Sequence, residues 1–198
     1  MSRQSLDDTV LDTLFRQAHT HYGFGPEPIS EATLRKLYEL LKWGPTSMNC
    51  QPARYVFVVS DEGKSRLLPA LSKGNRDKAH AAPVTVIVAV DTRFHEHMPY
   101  VFPSSPNARQ RFIENPDKAQ ETAWRNATLQ GAYLIVAARM LGLDVGPMSG
   151  FDHTMLDEEF FPDGRYRSNF LVNLGVGDPQ SQRPRGPRLA FEDVAEVV

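Results

Sequence analysis

The chain has 198 residues, a formal net charge of -2 at pH 7 and a pI near 6.3. That length suits a single domain spanning 1–198, because a chain of this size buries roughly 70% of its unfolded surface. The near-neutral charge gives no field to hold nucleic acid or an anionic membrane, and the single cysteine, Cys50, excludes an internal disulfide and a multi-cysteine zinc site.

Asp7, Asp8 and Asp12 stand where a signal peptide would be basic, and no apolar run reaches membrane-spanning length, so a cytoplasmic protein is expected. Residues 6–18 set Leu6, Val10, Leu11, Leu14, Phe15 and Ala18 on one face of a helix that needs a partner to cover it. Glycines and prolines between His19 and Ile29 end that helix. Ser30 is a plausible N-cap, with Glu31 in the first turn, for a helix reaching Trp43. Gly44-Pro45-Thr46-Ser47-Met48-Asn49-Cys50-Gln51-Pro52 must then be a shaped loop, since two prolines pin φ and remove donors. Its amides, hydroxyls and backbone N–H groups suit a flat heteroaromatic ligand, although pattern alone allows an ordinary connection equally well.

Tyr55 to Val59 reads as a buried strand. Asp61 is read as the cap of a helix to about Leu71, bent or ended by Pro69, with 72–75 a turn before more helix. Pro83 to Val90 is apolar on both faces and so central in its sheet. Thr92 to Lys118 carries four prolines and neither period, which predicts a long loop of the lid or mobile kind. Phe94, Tyr100, Phe102 and Phe112 could cover a ligand there or pin the loop to its own surface. His95-Glu96-His97 lacks a third ligand at a known spacing, so no metal is expected. Ala119 to Leu141 is a helical run apolar nearly all round, hence buried or a subunit interface. A second Gly/Pro loop at 142–152, a short helix at 153–160 and a central strand at 169–177 follow. Gly175-Val176-Gly177 opens no helix, so there is no dinucleotide-binding turn. Arg183, Arg185 and Arg188 lie on a stretch too proline-rich for helix, which by itself reads as a solvated tail. With no nucleophile elbow or Cys-His signature, Cys50 is expected to be a buried apolar residue, not the nucleophile of a hydrolase.

Four segments in order, about 18–29, 44–59, 142–152 and 183–191, resemble the nitroreductase family of flavoproteins. The carriers are Pro45-Thr46-Ser47-Met48-Asn49-Cys50-Gln51-Pro52 running into a strand, Pro147-Met148-Ser149-Gly150-Phe151 after a Gly-Leu pair, and the basic residues before Leu189. The resemblance implies an α+β fold, a mostly antiparallel sheet flanked by helices, in a homodimer. It also implies one FMN per subunit at the dimer interface, held by His19, Thr20, Tyr22, Pro45, Ser47, Asn49, Asn75, Pro147, Met148, Ser149, Gly150, Arg185 and Arg188. This chain departs from the family in having His19 and Tyr22 where arginines are usual, and Ser149 where many relatives have glutamate.

The implied activity is ping-pong hydride transfer from NADH or NADPH, with the flavin rather than any side chain carrying the chemistry. Gly44 to Arg54, Leu129 to Ile135 and Gly146 to Asp152 resemble one branch, which contains a malonic semialdehyde reductase of pyrimidine utilisation. That implies a small carbonyl acid as substrate, with nitroaromatics or quinones as the alternative and a non-catalytic dimeric ligand-binding protein as the rival of another class. Arg54, Arg109, Arg111 and Arg125 are the candidate grips for a substrate carboxylate.

Overall fold

The computed structural model describes residues 5–198. The N-terminal helix is shorter than predicted: α1 (Asp8–Leu11), capped by Asp7, passes into a π-helical turn over Asp12–Arg16. Of its apolar face only Leu14 is buried, while Leu6 and Phe15 face outward, so the described residues do not supply the cover the face requires. Ser30 caps α2 (Glu31–Leu41) as expected, its hydroxyl accepting from Thr33 N–H, and Leu34, Leu37 and Leu41 turn inward.

Strand β1 (Ala53–Val58) starts two residues before the predicted strand. The cap of α3 (Asp61–Leu67) is Ser60, not Asp61, because its hydroxyl accepts from Gly63 N–H at 3.1 Å. Pro69 ends this helix in a 3-10 turn, Leu68–Ala70. The predicted turn at 72–75 is already the first turn of α4 (Lys73–Ala81), and β2 (Val84–Asp91) is buried along its whole length.

The predicted long loop at 92–118 is instead a chain of short helices: a 3-10 turn over Phe94–His97, then α5 (Met98–Val101) and α6 (Ala108–Glu114). Helices of one or two turns are too brief to print a periodicity, which is why sequence pattern missed them. Phe94 and Phe112 meet edge to face at 4.9 Å inside them and pin the segment to the body of the protein. Asn115 then caps α7 (Pro116–Met140), which spans 25 residues. The stretch read as a second Gly/Pro loop contains a strand, β3 (Asp144–Met148). The short helix α8 (His153–Phe160) is where it was expected. After it come β4 (Tyr166–Gly175) and an exposed coil that ends in α9 (Phe191–Val194).

The four strands form one antiparallel sheet in the order β1-β2-β4-β3, with Val86 opposite Val172 and Pro147 opposite Val172 on its other side. Pro147 is tolerated because β3 is an edge strand of this sheet. Side chains alternate across the pleat. Val84, Val86 and Val88 pack on α2 and α7, while Ile87 and Ala89 pack on the α3, α4 and α8 side with Leu67, Leu71, Ala79 and Leu156. Helix α7 lies so close to the sheet that a Cβ on Gly131 would fall 2.3 Å from Phe170. Outward, α7 exposes Trp124, Leu129, Tyr133 and Met140. No helix among the described residues is long and apolar enough to cross a membrane.

One charged residue is wholly inside. Asp91, 0% exposed, ends β2 and accepts from Arg54 at 2.6 Å and from Arg165 at 3.2 Å. It ties the end of β2 to the start of β1 and to the residue just before β4. Because removing one member strands buried charge, Asp91→Asn is expected to lower unfolding stability by about 3 kcal/mol in urea titrations.

Candidate functional site

The loop before β1 is strained and held. Met48, Asn49 and Gln51 have φ of 53°, 50° and 41°, the left-handed region that non-glycine residues enter at a cost. Such strain persists only where surroundings over-determine it, and it concentrates at working loops. Here the anchors are two buried amides of α7: Asn126 accepts from Ser47 N–H at 2.7 Å, and Gln130 accepts from Ala53 N–H at 2.9 Å. Asn49 Nδ2 donates to Val101 O, and Gln51 N–H to Thr46 Oγ1. Pro45, Ser47 and Asn49 therefore stand exposed on a fixed frame. Cys50 is buried beneath them, and burial pushes its thiol up to about 11, which leaves it no thiolate for nucleophilic work.

A second group gathers around the other edge of the sheet. Thr20 bridges to Val145 of β3, and His21 N–H donates to Val145 O, so the run after α1 lies along that strand. His19, Thr20, Tyr22, Arg185 and Arg188 line one cavity of about 400 Å³. Arg139, from the last turn of α7, and Arg183 line it too, and no carboxylate does. Arg185 is aimed by donating to the carbonyls of Arg16 and Ala18, and Arg139 by donating to that of Leu14. Burial, with Arg185 beside it, holds Arg139 below the usual guanidinium range despite the opposing pull of Asp144. Sequence reasoning did not assign Arg139 or Arg183 to a site. Their signal was weak, being one arginine on a long helix and one among three on a coil.

Side-chain contacts lead from Tyr22, in the wall of this cavity, to Asn75. The Tyr22 ring carries Arg183 at 4.3 Å and Lys78 at 4.8 Å, and Lys78 donates to Asn75 Oδ1 at 3.1 Å. Burial, with Arg183 nearby, lowers the ammonium of Lys78 from its ordinary value. Asn75 is inside α4, not at its cap, and its Nδ2 donates to Gly150 O at 3.0 Å, where Ser72 N–H also donates. A Cβ on Gly150 would lie 2.8 Å from both Asn75 Nδ2 and Ser72 Oγ, so the glycine is what permits this contact. Pro147 and Met148 run up the end of β3 to Ser149, which is exposed, and Gly150. Lys78 was also missed, for it sits in a polar helix with no motif around it.

The thirteen cofactor candidates thus fall into two sets that one chain does not unite. Pro45, Ser47 and Asn49 lie before β1 on the α7 side, whereas the other ten lie on β3, around its edge and by α4. Three inter-strand spacings, about 14 Å, separate β1 from β3. Of the four substrate arginines, Arg54 is committed to Asp91, Arg125 to Glu121, and Arg109 sits on the His95 side of α6. Arg111 lines a cavity of about 290 Å³ together with Ser47 and Met48. His97 and Glu96 face Asp91 and Arg165, and among the described residues no group of three or more His, Cys, Asp or Glu is placed to hold a metal. An apolar cavity of about 430 Å³ on the far side of Phe112 shares no residue with either set.

Residues 15–176 match the Nitroreductase family. A protein of Rhodopseudomonas palustris (strain TIE-1), provisionally named an NADH dehydrogenase/NAD(P)H nitroreductase, is 55% identical over 98% of both chains. A provisionally named nitroreductase of Exiguobacterium sibiricum 255-15, solved in complex with FMN, superposes with a TM-score of 0.85 at 19% identity and covers both chains fully. A provisionally named NAD(P)H:FMN oxidoreductase of Staphylococcus epidermidis ATCC 12228 superposes at 0.81 and 18% identity, over 100% of this chain and 98% of its own.

The strain in the loop is measurable. Gln51→Gly is expected to raise the unfolding free energy by about 1 kcal/mol, while Gln51→Val, β-branched at the same positive φ, lowers it by at least as much. Paired urea titrations read both.

Proposed function

The chain belongs to the nitroreductase family, and from that premise we propose that it is an FMN-dependent NAD(P)H oxidoreductase working as a homodimer. The observation that carries the reading is the cavity lined by Arg139, Arg183, Arg185 and Arg188 with no carboxylate among its walls. Four guanidinium groups repel one another unless an anion joins them, and a phosphate monoester offers nearly two charges and three acceptor oxygens. The residues present fit such a group. They also answer the departure at His19 and Tyr22, because cations from α7 and the C-terminal coil stand where the N-terminal run lacks arginine.

In this reading His19, Thr20, Tyr22 and the arginines hold the phosphate, while Asn75, Lys78 and the Pro147–Gly150 turn hold the ring. When bound, FMN supplies the two-electron relay, taking hydride from NAD(P)H at N5 and giving it to the acceptor. Lys78, fixed against Tyr22 and Asn75, would offer the bound ring a preorganised positive charge against the negative charge that reduction brings. The amide-rich loop at 45–49 contributes polar contacts from a rigid frame. With no dinucleotide-binding turn, donor and acceptor take turns in one pocket.

Two features support the dimer. The exposed α7 stripe of Leu129, Tyr133 and Met140, beside Trp43 at 78% exposure, is an unpartnered apolar surface. A second copy related by a two-fold axis also explains the split site, because the loop of one subunit then completes the cavity of the other. For the acceptor, resemblance to one branch supports a small carbonyl acid, malonic semialdehyde going to 3-hydroxypropionate. The relatives' names support a nitroaromatic instead, and quinones share that chemistry.

The purified protein is expected to carry a flavin absorbance spectrum, and Arg139→Ala/Arg183→Ala to weaken FMN binding by about tenfold or more in a fluorescence titration, since each charged hydrogen bond is worth about 1.5–3 kcal/mol. A colourless protein that ignores added FMN would leave the non-catalytic rival. If nitro or quinone turnover exceeds aldehyde turnover by about a hundredfold in kcat/KM, roughly 2.7 kcal/mol, the acceptor is not the carbonyl acid.

A further inference from the structure

The cavity beside the strained loop has a chemistry of its own. Its walls are Ser47 and Met48 from the loop, Phe112 at the base, and Arg111, Asn115 and Lys118 from α6 and the start of α7. No acidic side chain lines it. Its volume, about 290 Å³, leaves ample room for a molecule of a few carbons. The two cations differ in what else they do. Lys118 is paired with Glu121 at 2.8 Å, and Glu121 is shared with Arg125. Arg111 makes no ion pair or side-chain hydrogen bond among the described residues. Helix α6 holds it there because the next residue, Phe112, is buried against Phe94.

From this arrangement we infer that Arg111 anchors a carboxylate of the substrate, making the enzyme selective for short acids over neutral molecules of the same shape. A guanidinium can grip a carboxylate through two parallel N–H donors, whereas Lys118 offers a point charge already engaged. Asn115 is held by its Oδ1, which caps α7 by accepting from Lys118 N–H, so it can offer an acid only the neutral donor Nδ2. The cavity is joined to the candidate cofactor loop through Ser47 and Met48, which line it together with Arg111. The inference rests on the flavin reading for the reaction, but not for the binding of the acid.

The test therefore has two arms. Malonate is titrated calorimetrically into wild type, Arg111→Met and Arg111→Lys, methionine keeping helix propensity and length. Wild type is expected to bind it, Arg111→Met to bind about tenfold or more weakly, and Arg111→Lys to fall between, as suits loss of a charged hydrogen-bonded grip. In the second arm, malonic semialdehyde and propionaldehyde are compared as acceptors for NADH oxidation. The acid's KM is expected to rise by the same factor in Arg111→Met with kcat little changed, and the neutral aldehyde's parameters to stay put. Equal malonate binding by wild type and Arg111→Met, no malonate binding at all, or equal losses on both aldehydes would overturn the inference. A protein without bound flavin would instead remove the reaction, and the malonate titration, repeated in the Arg139→Ala/Arg183→Ala background so that the edge cavity does not take the malonate, would still decide the anchor.

Discussion

The close approach of α7 to the sheet at Gly131 is the contact on which the other features depend. With hydrogen alone at that Cα, Phe170 and Val88 reach the helix backbone, and the helix axis sits low enough for its neighbours on the same face to touch β1. Gln130 then meets Ala53 N–H and Asn126 meets Ser47 N–H. The strained geometry of the loop is thus a consequence of helix packing one turn away. It is stable because buried amides that lost these partners would each go unsatisfied, at a cost comparable to the strain itself.

Charge in this protein is a local quantity. A formal balance of -2 describes a molecule with no long-range pull, yet four arginines share a cavity at one edge and a buried aspartate gathers two more at the opposite end of the sheet. The two clusters are opposite solutions of the same electrostatic problem. Around Asp91 the cations surround their counter-ion and lock strands together. Around the edge cavity they surround space, and the burial that lowers Arg139 and Lys78 shows how far the fold has gone to keep them there.

How much of this was legible depended on the length over which a pattern could repeat. β2, α2 with its Ser30 cap and α8 were readable because each keeps one period or one capping signal. β3 was not, since Gly146 and Pro147 are loop residues everywhere except on an edge strand, and neither were the short helices between Thr92 and Asn115. Among the candidate site residues, the structure brings Asn75 and Gly150 into contact. Lys78 and Arg139 were not among those candidates, because helix-borne cations look like solubilising charge until tertiary structure turns them inward. Asn126 and Gln130 do leave a trace in the sequence, being polar residues four apart on an apolar helical face, which is the one available hint that the helix grips something.

The positions of the edge arginines along the chain make their cavity separable from the scaffold. Three of them, Arg183, Arg185 and Arg188, follow every strand of the sheet in sequence, although they meet the run at His19 in space. They ride on an exposed coil that takes no part in the sheet. A single proteolytic cut after Gln182 therefore takes away three of the four guanidinium groups and leaves the strands and α7 with the contacts they make to one another.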